Sequence, residues 1–358
     1  MTLPNYIAYI GCYSKLDGGI HVLNVNPETG EFRRVRIVRG IADPTYVIVN
    51  KACTRLYAGI CKIAGKTDVG GAACYKIVGD DLVFSSWQPS GGTKPCHVAL
   101  DNDEKALFAS NYSEGTGAYF KLDANGDILP PSKQFVHEGH GPNPKRQTSP
   151  HIHFASTTPD NRLVYFVDLG IDTVKAYNFD DGKGDLSPVP QADIHTAPGA
   201  GPRHLHFAQN GKYAYVINEV DSTISAYMKN GISYKHFQTC SLLPPNYPKA
   251  EENTAAAIKM TADGTRLLCS NRGYDSIAVF DVNQANGQLT LLAINPTMGR
   301  GPRDFSFLPG DNFVLVAHQY SDNVICFKFD HETGAFAPVG GQVLVPQGVC
   351  VQIGAPVM

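Results

Sequence analysis

The sequence predicts an all-β fold, a seven-bladed β-propeller whose four-stranded antiparallel blades form a single domain over residues 1–358. A short repeat occurs seven times, at spacings of 51, 55, 52, 53, 47 and 44 residues. Each copy is followed by the same order of strand-like segments. The chain also contains 35 glycines and 24 prolines, and this density of turn residues favours many short strands over helices.

The repeat is a hexapeptide that begins with proline, once with alanine, and usually has apolar residues at its fourth and sixth positions. Its copies are Pro44–Val49, Pro95–Leu100, Pro150–Ala155, Pro202–Phe207, Ala255–Met260, Pro302–Phe307 and Pro346–Val351. The third copy is imperfect, because His153 stands at an otherwise apolar position. We expect each hexapeptide to form the strand of its blade that lines the central channel.

Three further segments follow each hexapeptide and complete a blade. A turn such as that at Ala262-Asp-Gly leads to an apolar strand such as Leu267-Leu-Cys. A strand with alternating apolar residues comes next, as in Ser276–Phe280, and a more polar, variable strand ends the unit. Four short antiparallel strands in each unit are typical of one propeller blade.

The ends of the chain predict how the ring closes. Three strand-like runs, Tyr6–Cys12, Ile20–Val25 and Phe32–Val38, precede the first hexapeptide, and the last hexapeptide has no further strands behind it. We therefore expect the C-terminal strand to become the innermost strand of the N-terminal blade, an arrangement of one strand plus three. Such closure removes exposed sheet edges.

Composition excludes several classes of function. The formal charge of −3 excludes a generally basic nucleic-acid binder, and no run of about 18 apolar residues predicts a membrane span. The N-terminus does not read as a signal peptide. Nine cysteines, an odd number without a Cys-x-x-Cys pair, indicate free thiols and a cytoplasmic location, with a disulfide framework or a zinc site as the alternative.

The repeat aligns residues that should circle the channel. The position after the leading residue gives Thr45, Cys96, His151, Arg203, Ala256, Arg303 and Gln347, and the end of the second strand gives Cys61, Tyr112, Leu169, Glu219, Arg272 and Gln319. His151, Arg203, Glu219 and Arg272 differ from the residues of other blades, so the fold does not demand them, and their types suit an anionic substrate. The alternative is an Arg203–Glu219 ion pair that merely holds one blade together.

Other motifs are weak. His137-Glu-Gly-His140 resembles a metal-binding fragment, but it lies in a segment rich in glycine and proline and lacks the helical spacing of such sites. The glycine-rich patterns of dinucleotide and phosphate loops are missing, and so is the Gly-x-Ser-x-Gly pattern of serine hydrolases. We therefore expect neither a metal nor a cofactor.

Several stretches resemble a known family. They are Gly91–His97, Ser110–Tyr112, Arg146–His153, Val167–Gly170, Gly199–His204, Val216–Glu219, Ser270–Gly273 and Gly301–Arg303. In this order they resemble the seven-bladed propeller lactonases, which include cytoplasmic 6-phosphogluconolactonases and fungal carboxy-cis,cis-muconate cyclases. The resemblance covers nearly the whole chain. It departs from the usual pattern in the second blade, where Gly59-Ile60-Cys61 replaces a polar pair.

The resemblance implies an active site at His151, Arg203, Glu219 and Arg272. We further expect His97, Tyr112, His153, Arg303 and Gln319 to bind the substrate. In this interpretation His151 deprotonates water, and one of the two catalytic arginines, Arg203 or Arg272, binds the oxyanion while the other holds a carboxylate or phosphate. Glu219 either orients Arg203 or protonates the leaving alkoxide.

The expected function is metal-independent hydrolysis of a sugar-acid lactone, either 6-phosphogluconolactone or a related aldonolactone. One alternative is a carboxymuconate-type cycloisomerase that forms a lactone, and another is a non-catalytic propeller that docks a partner. The expected partner is a small anionic lactone. We expect no binding of nucleic acid or membrane, and a monomer or a homodimer.

Overall fold

The computed structural model describes residues 4–15, 18–67, 69–180, 184–248 and 252–357, and seven antiparallel sheets dominate these residues. Blade I consists of β1 (Tyr6–Cys12), β2 (Ile20–Val25), β3 (Phe32–Val38) and the C-terminal strand β31 (Gly348–Pro356). Blade II consists of β5 (Tyr46–Val49), β6 (Arg55–Ile60), β8 (Gly71–Val78) and β9 (Asp81–Pro89), with a small sheet of β4 (Ile41–Ala42) and β7 (Lys62–Ile63) beside it in the sequence. Blade III consists of β10 (His97–Leu100), β11 (Ala106–Asn111), β12 (Thr116–Leu122) and β13 (Ile128–Val136).

The remaining blades follow the same order. Blade IV consists of β14 (Ile152–Thr157), β15 (Leu163–Asp168), β16 (Thr173–Asp180) and β17 (Asp185–Pro188), with β18 (Ile194–His195) also paired to β16. Blade V consists of β19 (Pro202–Phe207), β20 (Tyr213–Asn218), β21 (Thr223–Asn230) and β22 (Ser233–Ser241). Blade VI consists of β23 (Thr254–Met260), β24 (Arg266–Arg272), β25 (Ser276–Val282) and β26 (Leu289–Pro296). Blade VII consists of β27 (Pro302–Phe307), β28 (Phe313–His318), β29 (Asn323–Phe329) and β30 (Phe336–Leu344), and short 3-10 turns occur at Leu169–Ile171 and Pro190–Ala192.

The C-terminal strand closes the ring as the sequence predicts. Strand β31 pairs antiparallel with β1, with Val351 opposite Ile10. It also contacts β27 of blade VII and β5 of blade II, so that blade I lies between its two neighbours. The predicted all-β propeller with seven four-stranded blades is therefore confirmed.

The apolar core is divided among the interfaces between blades. Seven clusters of buried side chains each combine residues from two adjacent blades, and together they go once around the ring. The second strand of each blade is almost completely buried, because both faces of a blade pack on neighbours. Its sequence is therefore a continuous apolar run, as in β15 and β20.

All nine cysteines are free, and five of them are buried. Within the described ranges, no helix is long and apolar enough to cross a membrane.

A β-bulge at the start of an inner strand directs one side chain toward the channel in three blades. The residue that the ladder skips is His153 in blade IV, Arg203 in blade V and Arg303 in blade VII. A bulge leaves one residue unpaired and re-aims its side chain. These three side chains therefore occupy equivalent positions at the same end of the channel.

The structure corrects the sequence alignment in blade IV by two residues. The backbone N–H of Leu169 donates to the carbonyl of His151 at 3.1 Å, whereas the corresponding acceptor in blade V is Gly201. His151 is thus equivalent to Gly201, which precedes its strand, and it does not belong to the predicted ring. Ile152, rather than Pro150, occupies the leading position, so the proline misaligned the repeat.

Candidate active site

A cavity of about 390 Å³ opens at the end of the channel where the inner strands begin. Its charged lining consists of Lys94, Arg146, Arg272, Arg303 and Glu219. Four cations therefore face one carboxylate in a volume that suits a single small molecule. This excess of positive charge favours an anionic ligand.

Glu219 is the centre of an ion-pair cluster that joins distant parts of the chain. Its side chain is buried, and its Oε2 lies 3.0 Å from Nε of Arg203 and 2.9 Å from Nη2 of Arg272. Its other oxygen, Oε1, accepts a hydrogen bond from Nη2 of Arg146. Burial alone would raise the pKa of the Glu219 carboxyl, but the guanidiniums of Arg272 and Arg203 outweigh burial and hold the pKa well below its usual range. Glu219 is therefore ionised at neutral pH.

Arg203 lies beneath the cavity and is fixed on several sides. Its Nη1 donates to the carbonyl of Ala256 at 2.6 Å and to Nε2 of His204 at 3.0 Å. Burial, with the neighbouring charges of Arg303 and Arg272, lowers its pKa to about 9, so the guanidinium remains protonated at neutral pH. The predicted Arg203–Glu219 ion pair exists, but it belongs to a cluster that spans several blades.

His153, the bulge residue of blade IV, lines the cavity. Its side chain is buried, and among the described residues its Nδ1 has no hydrogen-bond partner. Burial and the positive charge of Arg203 lower the pKa of the imidazole well below its usual value. The ring is therefore neutral at neutral pH.

His151 supports the cavity wall from behind. Its ring stacks on Tyr112 with a centroid distance of 4.3 Å, and its Nδ1 donates to the carbonyl of Tyr112 at 2.9 Å. Tyr112 lines the cavity, whereas His151 is not part of the lining. The structure thus brings together three of the four predicted catalytic residues. The side chain of Tyr112 lies between His151 and the cavity.

The predicted substrate-binding residues divide into two groups. Tyr112, His153 and Arg303 line the cavity, and Gln319 accepts a hydrogen bond from Nη1 of Arg303 at 3.2 Å. His97 lies outside the cavity. Its ring is packed between Tyr46 and Phe154, with centroid distances of 4.2 and 4.1 Å. His97 therefore packs within the channel and is not among the residues that line this cavity, in contrast to the expectation from the sequence.

Sequence reasoning missed Arg146 as a site residue. Arg146 lies in the irregular segment between β13 and β14, outside every repeat, and the alignment of blades could not reach it. The segment is held by the buried side chain of Gln147, which donates to the carbonyl of Leu169 at 2.9 Å and to Asp172 at 2.7 Å. The only signal was that Arg146 begins a stretch that resembles the family.

Among the described residues, no group of three or more histidine, cysteine or acidic side chains could hold a metal ion. The suspected fragment at residues 137–140 is split. His137 is buried, with Nδ1 at 2.7 Å from Asp168 and Nε2 at 3.0 Å from Tyr177, whereas His140 is exposed. The buried histidine is therefore part of a structural network.

Comparisons with known proteins agree with this architecture. A family model described as "Lactonase, 7-bladed beta-propeller" matches residues 7–353. The chain is 35% identical over 356 residues to a 6-phosphogluconolactonase of Bacillus subtilis, with 98% of this chain and 99% of the relative covered. It is 32% identical to a 6-phosphogluconolactonase of Formosa agariphila, with 94% and 96% covered.

Solved structures give the same result. A periplasmic gluconolactonase of Pseudomonas aeruginosa superposes with a TM-score of 0.91 at 28% identity, with 98% of this chain and 99% of that chain covered. A protein from Lactobacillus plantarum superposes with a TM-score of 0.88 at 32% identity, with 98% and 100% covered. The chain, with its seven closed blades and its charged cavity, therefore belongs to the seven-bladed β-propeller lactonase family.

Proposed function

We propose that this protein hydrolyses the lactone of a sugar acid, 6-phosphogluconolactone or a related aldonolactone, in the cavity around Glu219, without a metal ion. The observation that carries the proposal is the lining of four cations around one ionised carboxylate. The relatives named 6-phosphogluconolactonase support the same reaction class.

The arginines paired with Glu219 are suited to stabilise the transition state. Attack of water on a lactone carbonyl places negative charge on the carbonyl oxygen. Arg272 lines the cavity, and its guanidinium is fixed by Glu219 and by the carbonyl of Ala255 at 2.8 Å. We assign Arg272 to the oxyanion and Arg203 to the support beneath it, because donors that are held in place need no reorganisation during the reaction.

Glu219 acts as the residue that orients the arginines. The sequence left open whether it also protonates the leaving alkoxide. Because its pKa lies well below the usual range, it carries no proton to give at neutral pH. The proton on the leaving oxygen therefore comes from water or from the protonated base.

His153 is our candidate for the base that takes a proton from water. The ring is neutral, so one of its two nitrogens carries a lone pair, and the residue lines the cavity. The pKa of the imidazole, lowered by burial and by the charge of Arg203, lies below the optimum for a base. An anionic substrate would offset the charge of Arg203 and raise the pKa toward neutrality, where general-base catalysis is most effective.

The test compares His153→Gln with His151→Gln. We expect His153→Gln to lower kcat by about 10²- to 10⁴-fold with a small change in KM, because a positioned base is lost. His151→Gln should cost less, because its ring acts only through Tyr112. Both are measured on a panel of phosphorylated and unphosphorylated sugar lactones with EDTA present. A greater loss of kcat in His151→Gln would contradict the assignment.

A further inference from the structure

Arg303 differs from the other arginines of the site. Arg146, Arg203 and Arg272 all form ion pairs with Glu219. Arg303 also lines the cavity, but within the part of the chain that the structure describes it forms no ion pair with a carboxylate. A half-buried cation without a carboxylate contributes little to the stability of the fold, because no ion pair compensates for its lost hydration.

Arg303 is nevertheless held in a defined position. It projects from the bulge of β27, and its Nη1 donates to Oε1 of Gln319 at 3.2 Å. Its guanidinium carbon lies 5.3 Å from the centre of the Tyr13 ring. A guanidinium has five N–H donors, so most of them remain available to a ligand. The planar fork suits bidentate contacts with a carboxylate or a phosphate.

A second cation contacts the same ring. Nζ of Lys94 lies 4.7 Å from the centre of the Tyr13 ring and 3.3 Å from Asp43, and Lys94 also lines the cavity. Asp43 balances part of the lysine's charge. Arg303 therefore provides the larger uncompensated charge on this wall of the cavity.

We propose that Arg303 is the specificity-determining residue of the cavity and binds the acidic tail of the substrate, a phosphate ester or carboxylate remote from the lactone carbonyl. Gln319 and Tyr13 position its guanidinium, and Lys94 adds positive charge to the same wall. This inference rests on the proposed function. The arginines paired with Glu219 serve the reaction, and Arg303, beside Tyr13, recognises the substrate.

The experiment uses three lactones of one ring size that end in a phosphate, a carboxylate or a hydroxyl. We expect Arg303→Met to lower kcat/KM by about 10- to 100-fold for an acidic lactone, mainly through KM, because a charge-assisted contact made in both ground and transition state is lost. The hydroxyl-terminated lactone should change by less than about threefold. The acidic lactone with the greater loss identifies the tail.

Three further variants sharpen the test. Arg303→Lys keeps the charge but loses the fork, so it should recover only part of the affinity. Gln319→Leu should raise KM for the acidic lactone and leave kcat nearly unchanged, since it only releases the guanidinium. Lys235→Met, at an exposed position of β22, removes a charge far from the cavity and should have no effect.

Binding of inorganic phosphate, measured by calorimetry, separates this inference from the proposed function. The wild-type protein should bind phosphate, and folded Arg303→Met should not. If no lactone is hydrolysed but this difference holds, the proposed function fails and the anion site stands. Equal losses on all three lactones, or unchanged phosphate binding in Arg303→Met, would overturn the role of Arg303.

Discussion

The two ends of the central channel carry cavities of nearly equal size and very different chemistry. The cavity where the inner strands begin has a volume of about 390 Å³, and the cavity where they end has a volume of about 400 Å³. The first is lined by arginines around Glu219, whereas the second is lined by aromatic, histidine and aliphatic side chains with one lysine and one aspartate, Lys259 and Asp311. Charge, and not volume, therefore distinguishes the candidate active site.

The difference follows from how the inner strands begin and end. Bulges at their starts free single side chains such as Arg203 from the ladder, and an irregular segment brings Arg146 over the same opening. At the other end, Lys259 is balanced by Asp304, with Nζ and Oδ1 3.4 Å apart. The two cavities approach each other where His153 of the first and His204 of the second have ring centroids 5.3 Å apart. Irregular backbone at one end of the channel therefore brings together the charged side chains of the candidate active site.

The largest expected effect comes from removing the central carboxylate. Glu219→Gln leaves the guanidiniums of Arg203 and Arg272 facing each other without compensation. We expect the free energy of unfolding to fall by about 3–5 kcal/mol, because breaking one side of a buried pair leaves buried charge. We expect kcat/KM to fall by more than about 10²-fold, because the oxyanion donors lose their position. Urea denaturation and lactone hydrolysis measure the two effects.

Asp304→Asn, which removes the carboxylate partner of Lys259, is the matched control. The Lys259 side chain is partly exposed and keeps some hydration, so we expect a smaller stability loss of about 1 kcal/mol and unchanged activity. Equal loss of activity in the two variants would remove the functional distinction between the cavities.

An intermediate effect is expected for Arg146→Met. The Arg146 side chain is 34% exposed, so its ion pair with Glu219 is partly screened by water. We expect a stability change of less than about 1 kcal/mol and a loss of about tenfold in kcat/KM, the usual size for one charge-assisted contact. Lys145→Met, exposed in the same segment, should leave both unchanged. A stability loss without an activity loss would make Arg146 a structural residue.

The smallest effect on activity is expected for His206→Gln in the second cavity, where the inner strands end. Burial lowers the pKa of His206 to about 4. As the pH decreases, this imidazole therefore takes up a proton near pH of about 6.5 in the unfolded chain but only near about 4 in the folded chain. The free energy of unfolding falls over this range of pH. His206→Gln should weaken this acid sensitivity, read from Tm across the pH range, while kcat/KM at neutral pH stays unchanged. Loss of activity would show that the second cavity takes part in the reaction.

Other groups set the background of that pH profile. Burial also lowers the pKa of His21 and His318 to about 4, so acid sensitivity should persist in the variant. Asp221 acts in the opposite direction, because burial raises its pKa to about 6. The comparison of His206→Gln with wild type isolates the contribution of one ring.

The sequence by itself determined the number of blades, their strand order and the closure by the C-terminal strand. Each blade is encoded within about 50 residues, because hairpins and alternating strands depend on local pattern. The column at the end of the second strand brought Tyr112, Glu219 and Arg272 together at the cavity. The preceding residues Asn218 and Asn271 lie opposite the leading residues Pro202 and Ala255, so the ends of these strands are equivalent.

Only the tertiary structure decided which side chains meet. A shift of two residues keeps the same faces of a strand inward, so strand alternation did not separate His151 from His153, and the polar His153 in the third repeat was the one sign of the misalignment. Arg146 and Glu219 are 73 residues apart, and they meet because the ring of blades brings an irregular segment over the channel. The alternation of buried and exposed side chains depends on residues close in the sequence, whereas contacts between blades arise from closure of the whole ring.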